Sequence, residues 1–194
     1  MASRENCMLG MPEAAFNAPP FLSSGWCGAW SVPIRSIFPS LMALRKAISE
    51  GKIDLIGTDH APHHPDDKKG GALKAASGMP SIQFSLLAML NLVDEKHFTI
   101  EELVEKMCHA PATIFNIDKR GYIAKGNHAD FVLLAPNQPH TIEKSDIISL
   151  CGWSPFEGAR FNWKVAQTWV NGECVYKNGK INEDIRGKAL RFNR

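Results

Sequence analysis

Asp59, His60, His63 and His64 fall close together in the run Gly57-Thr58-Asp59-His60-Ala61-Pro62-His63-His64. Carboxylates and neutral imidazoles are donors that zinc accepts, and a carboxylate beside an activated water can relay its proton. His63 could orient or stabilise a substrate anion. A second reading needs no ligand at all. A loop aspartate can cap backbone amides, and histidines can simply line an exposed loop. Spacing alone leaves both readings open, because D-H-x-x-H is only a moderately specific pattern. The sequence contains no P-loop, G-x-G-x-x-G, H-E-x-x-H or G-x-S-x-G to redirect the reading.

The elements that must position this cluster are legible around it. Ile53-Asp54-Leu55-Ile56 is a compact apolar run that predicts a buried strand over 53–58, placing the cluster where the strand gives way to a loop. In α/β proteins the carboxyl ends of parallel strands are where ligands bind. Before it, Ser40 suits a helix N-cap, Leu41, Leu44 and Ile48 share one face, and Gly51 stops the helix. After it, Asp66-Asp67-Lys68-Lys69 reads as a solvated loop. Ser77-Gly78 then leads to Pro80, which suits the first position of an all-round apolar helix over 80–93. Free amides at Ser77 and Gly78 could receive a carboxylate or carbonyl oxygen; the other reading is a Gly78 that only turns the chain into the helix.

Thr99-Ile100-Glu101-Glu102 is a capping box opening a helix through Met107, and Pro111 restarts a short helix ending near Asn116. Beyond Asp118 the pattern turns to strands, at 131–134, 165–170 and 174–176. Asn171-Gly172 and Asn178-Gly179 mark the turns. The expected organisation is an irregular, loop-like or poorly ordered segment over 1–33, an α/β part over 34–117 and a mostly β part over 118–194. Asp130 and Glu157 read as structural. Trp153, Trp163 and Trp169 read as packing residues of the β part.

With 194 residues, 44% of them hydrophobic, the chain can build a real core. A formal charge of +2 argues for neither nucleic acid nor an anionic membrane as partner. Cys7, Cys27, Cys108, Cys151 and Cys174 are odd in number and scattered, which fits free thiols in a reducing compartment and gives no cysteine-based zinc site. The first thirty residues hold no signal-peptide pattern and no stretch is long enough to span a bilayer, so a soluble cytoplasmic protein is expected.

The segment Ile53-Asp54-Leu55-Ile56-Gly57-Thr58-Asp59-His60-Ala61-Pro62-His63 closely resembles the eighth-barrel-strand segment of dihydroorotases, in the amidohydrolase superfamily. A lysine-containing loop, Ala76-Ser77-Gly78-Met79-Pro80 and an apolar helix follow in the family's order. Gly126-Asn127-His128-Ala129-Asp130, Cys151-Gly152-Trp153-Ser154-Pro155-Phe156-Glu157-Gly158 and Thr168-Trp169-Val170-Asn171-Gly172 are similar to its later segments. The resemblance implies an α/β fold: the C-terminal fragment of a TIM-type (β/α)8 metal-dependent hydrolase barrel, then part of a small β-sandwich domain. It implies zinc as cofactor and the interconversion of dihydroorotate and N-carbamoyl-aspartate in pyrimidine synthesis. By the same resemblance Asp59 is a metal ligand and proton shuttle, His63 lies near the substrate carboxylate, and Ser77-Gly78 contacts the pyrimidine ring through its backbone.

The rest of that family's metal site has no counterpart here. There is no H-x-H, and His97, His109, His128 and His140 fall in the later helices and the β part. A complete barrel takes about 250 residues. Three readings therefore stand: a dihydroorotase of which this chain carries part of the active site, an inactive remnant or non-catalytic partner, or a related hydantoinase or dihydropyrimidinase. The 194-residue chain by itself is expected to be inactive. Uncovered strand edges and apolar helix faces predict self-association or poor solubility.

Overall fold

The computed structural model describes residues 45–71 and 73–193. The expectations for residues 1–33, and for Ser40, Leu41 and Leu44, lie outside the described residues. The chain is α/β, with helices in its first part and antiparallel strands in its second. Residues 45–49 are helical and bury Ile48, and Gly51 follows at φ 71, ending the helix as its sequence predicts.

The run 53–58 departs from the expected strand. Ile56 is buried, yet among the described residues no ladder forms along the run; a single parallel bridge, between His60 and Met79, lies just beyond its end. A strand needs a partner as well as an apolar sequence, and its one backbone bond at Ile56 goes to a helix, from the Ile56 N–H to the Lys106 carbonyl at 3.0 Å.

That carbonyl is free for a specific reason. Helix α1 spans Ser85–Asp94 and α2 Ile100–Val104, the latter opened by the expected capping box between Thr99 and Glu102. A π-helical turn, Glu105–His109, then leads directly into α3, Ala110–Ile114. Pro111 thus stands in the first turn of the short α-helix its sequence predicts, which ends at Ile114 and follows the π turn without a break. The Ala110 N–H bonds the Glu105 carbonyl, and Pro111 has no N–H to offer Lys106, so the Lys106 carbonyl turns outward to Ile56.

The apolar helix also begins later than its sequence suggests. Its first residue is Ser85, so Pro80 is not at the first helical position and Ser77-Gly78 is not at a helix N-terminus. Residues 81–84 instead form turns in which the Ser81 carbonyl accepts from the Phe84 and Ser85 amides. The all-round burial is as expected, with Leu87, Ala88, Met89, Leu90 and Leu92 inside. Each fully buried leucine or methionine contributes about 1.5–3 kcal/mol through the water it sheds. Phe84 packs against Phe156 and Phe161 at ring separations of 6.2 and 6.4 Å, joining the helices to the later chain in one apolar cluster.

The second part is built on strands β1 Phe131–Ala135, β2 His140–Thr141, β3 Arg160–Phe161, β4 Lys164–Val170, β5 Glu173–Lys177 and β6 Lys180–Ile181. Four of them form an antiparallel sheet in the order β1-β4-β5-β6, and β2 pairs with β3. Asn171 and Gly172 have φ of 54 and 84, the pair of positive values a type I′ hairpin requires, and Asn178 and Gly179 repeat it at 48 and 86. Asp130 is structural, as expected. It accepts from the Asn171 amide at 2.7 Å and pairs with Arg120, which also donates to the Asn171 side chain at 2.6 Å. Trp163 donates to Asp94 at 3.0 Å and Trp169 stacks on Phe131, both packing roles. Among the described residues no helix is long and apolar enough to cross a membrane.

Candidate active site

Two loops meet beyond Ile56, residues 58–68 and residues 76–81. The Ser81 hydroxyl donates to the Thr58 carbonyl at 2.9 Å, and the Ala61 amide donates to the Met79 carbonyl at 2.9 Å. Gly78 makes the approach possible. Its φ is 91, and a Cβ there would stand 2.7 Å from the Ala61 Cβ, closer than such atoms come. The turning reading of Gly78 therefore has a structural basis, and close packing adds to it.

Asp59 is exposed, and its φ of 41 is a left-handed value uncommon for a residue with a side chain. Such strain costs about 1 kcal/mol and gathers at functional positions. Among the described residues its carboxylate accepts no hydrogen bond and forms no ion pair, so the capping role open to it is not taken. His64 takes that role instead. Its Nδ1 accepts from the Asp66 amide at 3.3 Å while the Asp67 carboxylate accepts from the His64 amide at 3.0 Å, capping a 3-10 turn at Pro65–Lys68. Asp66 is occupied by Lys69, whose hydrogen bond and charge hold its carboxyl below the usual range.

The imidazoles divide by partner. His60 Nδ1 accepts from the Ile82 amide at 3.3 Å. His63 Nε2 donates to the Ser77 carbonyl at 2.8 Å, which protonates that nitrogen and leaves Nδ1 as the acceptor of the neutral ring. The structure thus joins His63 to Ser77 directly and brings Gly78 against Ala61, two residues from Asp59. Among the described residues the Ser77 and Gly78 amides donate to no protein acceptor, so they could receive one from a ligand without belonging to a helix terminus.

Two residues of this site depart from the roles their sequence predicts. Lys68 is half-buried, and its ammonium donates to the carbonyls of Ala76 and Gly78; the solvated-loop reading fails for it. Trp153 does not belong to the β packing alone. Its Nε1 donates to the His63 carbonyl at 2.8 Å and its ring lies 5.7 Å below the Lys68 ammonium. A contact made across ninety positions of sequence leaves no local signal.

The two loops together carry an exposed carboxylate without a protein partner among the described residues, a histidine whose Nε2 is held by the Ser77 carbonyl, and two peptide amides open to a ligand. Residues 22–175 match the amidohydrolase family model, and the chain belongs to that family. Among curated relatives it is 33% identical to the dihydroorotase of Pyrococcus furiosus over 164 residues, covering 81% of this chain and 38% of that one. It is 38% identical to the dihydroorotase of Acetivibrio thermocellus over 136 residues, 70% of this chain and 32% of that one. The chain thus spans less than two-fifths of the length of these relatives. Among solved structures, an L-hydantoinase from Arthrobacter aurescens superposes with a TM-score of 0.72 at 28% identity, covering 93% of this chain and 40% of its own. A dihydropyrimidinase from Brevibacillus agri gives 0.71 at 22%, a likeness of fold.

Proposed function

We propose that the chain carries one corner of a dihydroorotase-type active site that opens and closes a cyclic amide, interconverting dihydroorotate and N-carbamoyl-aspartate in cytoplasmic pyrimidine synthesis. The observation that carries the reading is Asp59, a strained, exposed carboxylate without a protein partner among the described residues, in a segment shared with dihydroorotases. Asp59 relays the proton to and from the ring nitrogen. His63 stands on the side of the substrate carboxylate, and the open amides of Ser77 and Gly78 receive a ring carbonyl. Residues 34–117 are then the closing part of a (β/α)8 barrel and residues 118–194 part of a β-sandwich domain.

The family implies a metal, read here as zinc. A bound metal supplies an activated water and polarises the amide carbonyl. Asp59 fits it as one oxygen donor. A zinc site takes three or four protein ligands, and among the described residues no group of three histidine, cysteine, aspartate or glutamate side chains converges. The described residues therefore do not fit a whole metal site, and no step is assigned to them through it.

A second reading, carried by the exposed Ile82, Ile123 and Leu150, is a remnant or non-catalytic partner that self-associates through such apolar surface. Hydantoinase or dihydropyrimidinase activity is less favoured, because the sequence relatives are dihydroorotases. The chain is purified alone and, separately, combined with a chain supplying the remaining barrel. Zinc content and carbamoyl-aspartate cyclisation are measured for both. The chain alone is expected to be inactive; the combination is expected to turn over dihydroorotate in preference to dihydrouracil, which lacks the carboxylate, and to lose activity in Asp59→Asn. Two zinc ions and turnover in the chain alone would overturn the one-corner assignment. A combination that is active and indifferent to Asp59→Asn would overturn the role of Asp59.

A further inference from the structure

We propose that Lys68 is a positioning residue for this site, resting on the reading of Asp59, His63, Ser77 and Gly78 just given: its ammonium holds the Ala76 and Gly78 carbonyls, which aims the Ser77 amide at the substrate and braces, from both sides, the peptide unit through which His63 aims the Gly78 amide. Three consecutive carbonyls of the second loop are held by side chains of the first. Lys68 takes those of Ala76 and Gly78, and His63 takes that of Ser77 between them. A peptide unit whose carbonyl is fixed has its N–H fixed on the opposite side, because the unit is planar. Holding the Ala76 and Gly78 carbonyls therefore aims the Ser77 and Met79 amides, and His63 aims that of Gly78.

The lysine is itself held from two directions. It ends the 3-10 turn capped by His64, and the backbone closes the loop again where the Ala76 amide donates to the Asp67 carbonyl at 2.9 Å. The Trp153 ring faces the ammonium at 5.7 Å, a cation–π distance, while its Nε1 anchors the His63 carbonyl. Lys68, His63 and Trp153 thus form one brace. Loss of the lysine frees two of the three carbonyls at once, and Gly78 has no side chain to limit the swing of its peptide planes.

The test uses the isotope-labelled chain, without metal or substrate. Two readouts are followed: hydrogen exchange at the Ala61 and Ala76 amides, which bond the Met79 and Asp67 carbonyls, and the ring nitrogen shifts of His63. In Lys68→Met both amides are expected to exchange about tenfold faster or more, the loss of charge-assisted hydrogen bonds. His63 is expected to move from the Nε2–H tautomer to a mixture. Amides of the β4–β5 hairpin should keep their protection, and Lys68→Arg, which restores charge and reach, should recover most of the effect. Unchanged exchange and an unchanged tautomer in Lys68→Met would overturn the proposal. So would a loss of protection spread equally to the hairpin, the mark of a general stabiliser. Should Lys68→Met not fold, Lys68→Gln takes its place with the same readouts. Neither readout involves turnover, so failure here is distinct from failure of the enzymatic reading.

Discussion

In the β4–β5–β6 hairpins each strand finds its partner across a two-residue turn. Around Asp59 the partners lie fourteen positions away, from His63 to Ser77, or ninety, from His63 to Trp153. The hairpins close on backbone groups in ladders, that of β4 and β5 running on through a register shift between Thr168 and Trp169. The loop pair has a few backbone bonds, such as Ala61 to Met79, and otherwise closes on side chains reaching backbone carbonyls; its one strand-like run has no ladder among the described residues. A ladder shares its load over many equivalent bonds, whereas the loop pair concentrates it in a few particular side chains. The hairpins should therefore tolerate local change better than the loops.

The largest contrast should come from glycine. Gly78→Ala combines a left-handed φ with a blocked contact and is expected to cost about 2–3 kcal/mol by urea denaturation. Gly179→Ala has a similar φ, 86, but open space around the new Cβ, and should cost about 1 kcal/mol. Equal costs would break the comparison, since they would mean that the approach of Gly78 to Ala61 is not tight. Arg120→Ala probes where the sheet borrows the loop strategy. It leaves the half-buried Asp130 carboxylate without its cation and should cost about 1–2 kcal/mol, against the near-zero value of an exposed pair such as Lys46–Glu50. The smallest effect should be Asp59→Asn, within about 0.5 kcal/mol of the parent, because no protein group among those described depends on that charge. A marked destabilisation would show that Asp59 serves the fold.

What could be read from sequence follows the same division. Asn171-Gly172, Asn178-Gly179 and the Thr99–Glu102 capping box are decided by neighbours in the chain, and all three are found where their residues predict. The run 53–58 is apolar enough for a strand, but pairing is a property of what lies beside it in space. Lys68 lies in a run of charges that predicts a solvated loop, while the carbonyls it bonds are eight and ten residues on. Trp153 gave no clue at all. Asp59 was legible as a chemical residue because its type and its loop say so, while the missing donor set follows from no local rule.

Pro111 carries a consequence for anyone redesigning this chain for heat resistance. Replacing a proline inside a helix with alanine is a standard remedy, and here it would let residues 105–114 relax toward a regular α-helix. The same change would give the Lys106 carbonyl a competing internal donor and draw it away from Ile56, three residues before Asp59. A sturdier helix would come with a looser seat for the carboxylate. Pro111 should be left in place, and stabilising substitutions made in the hairpins instead.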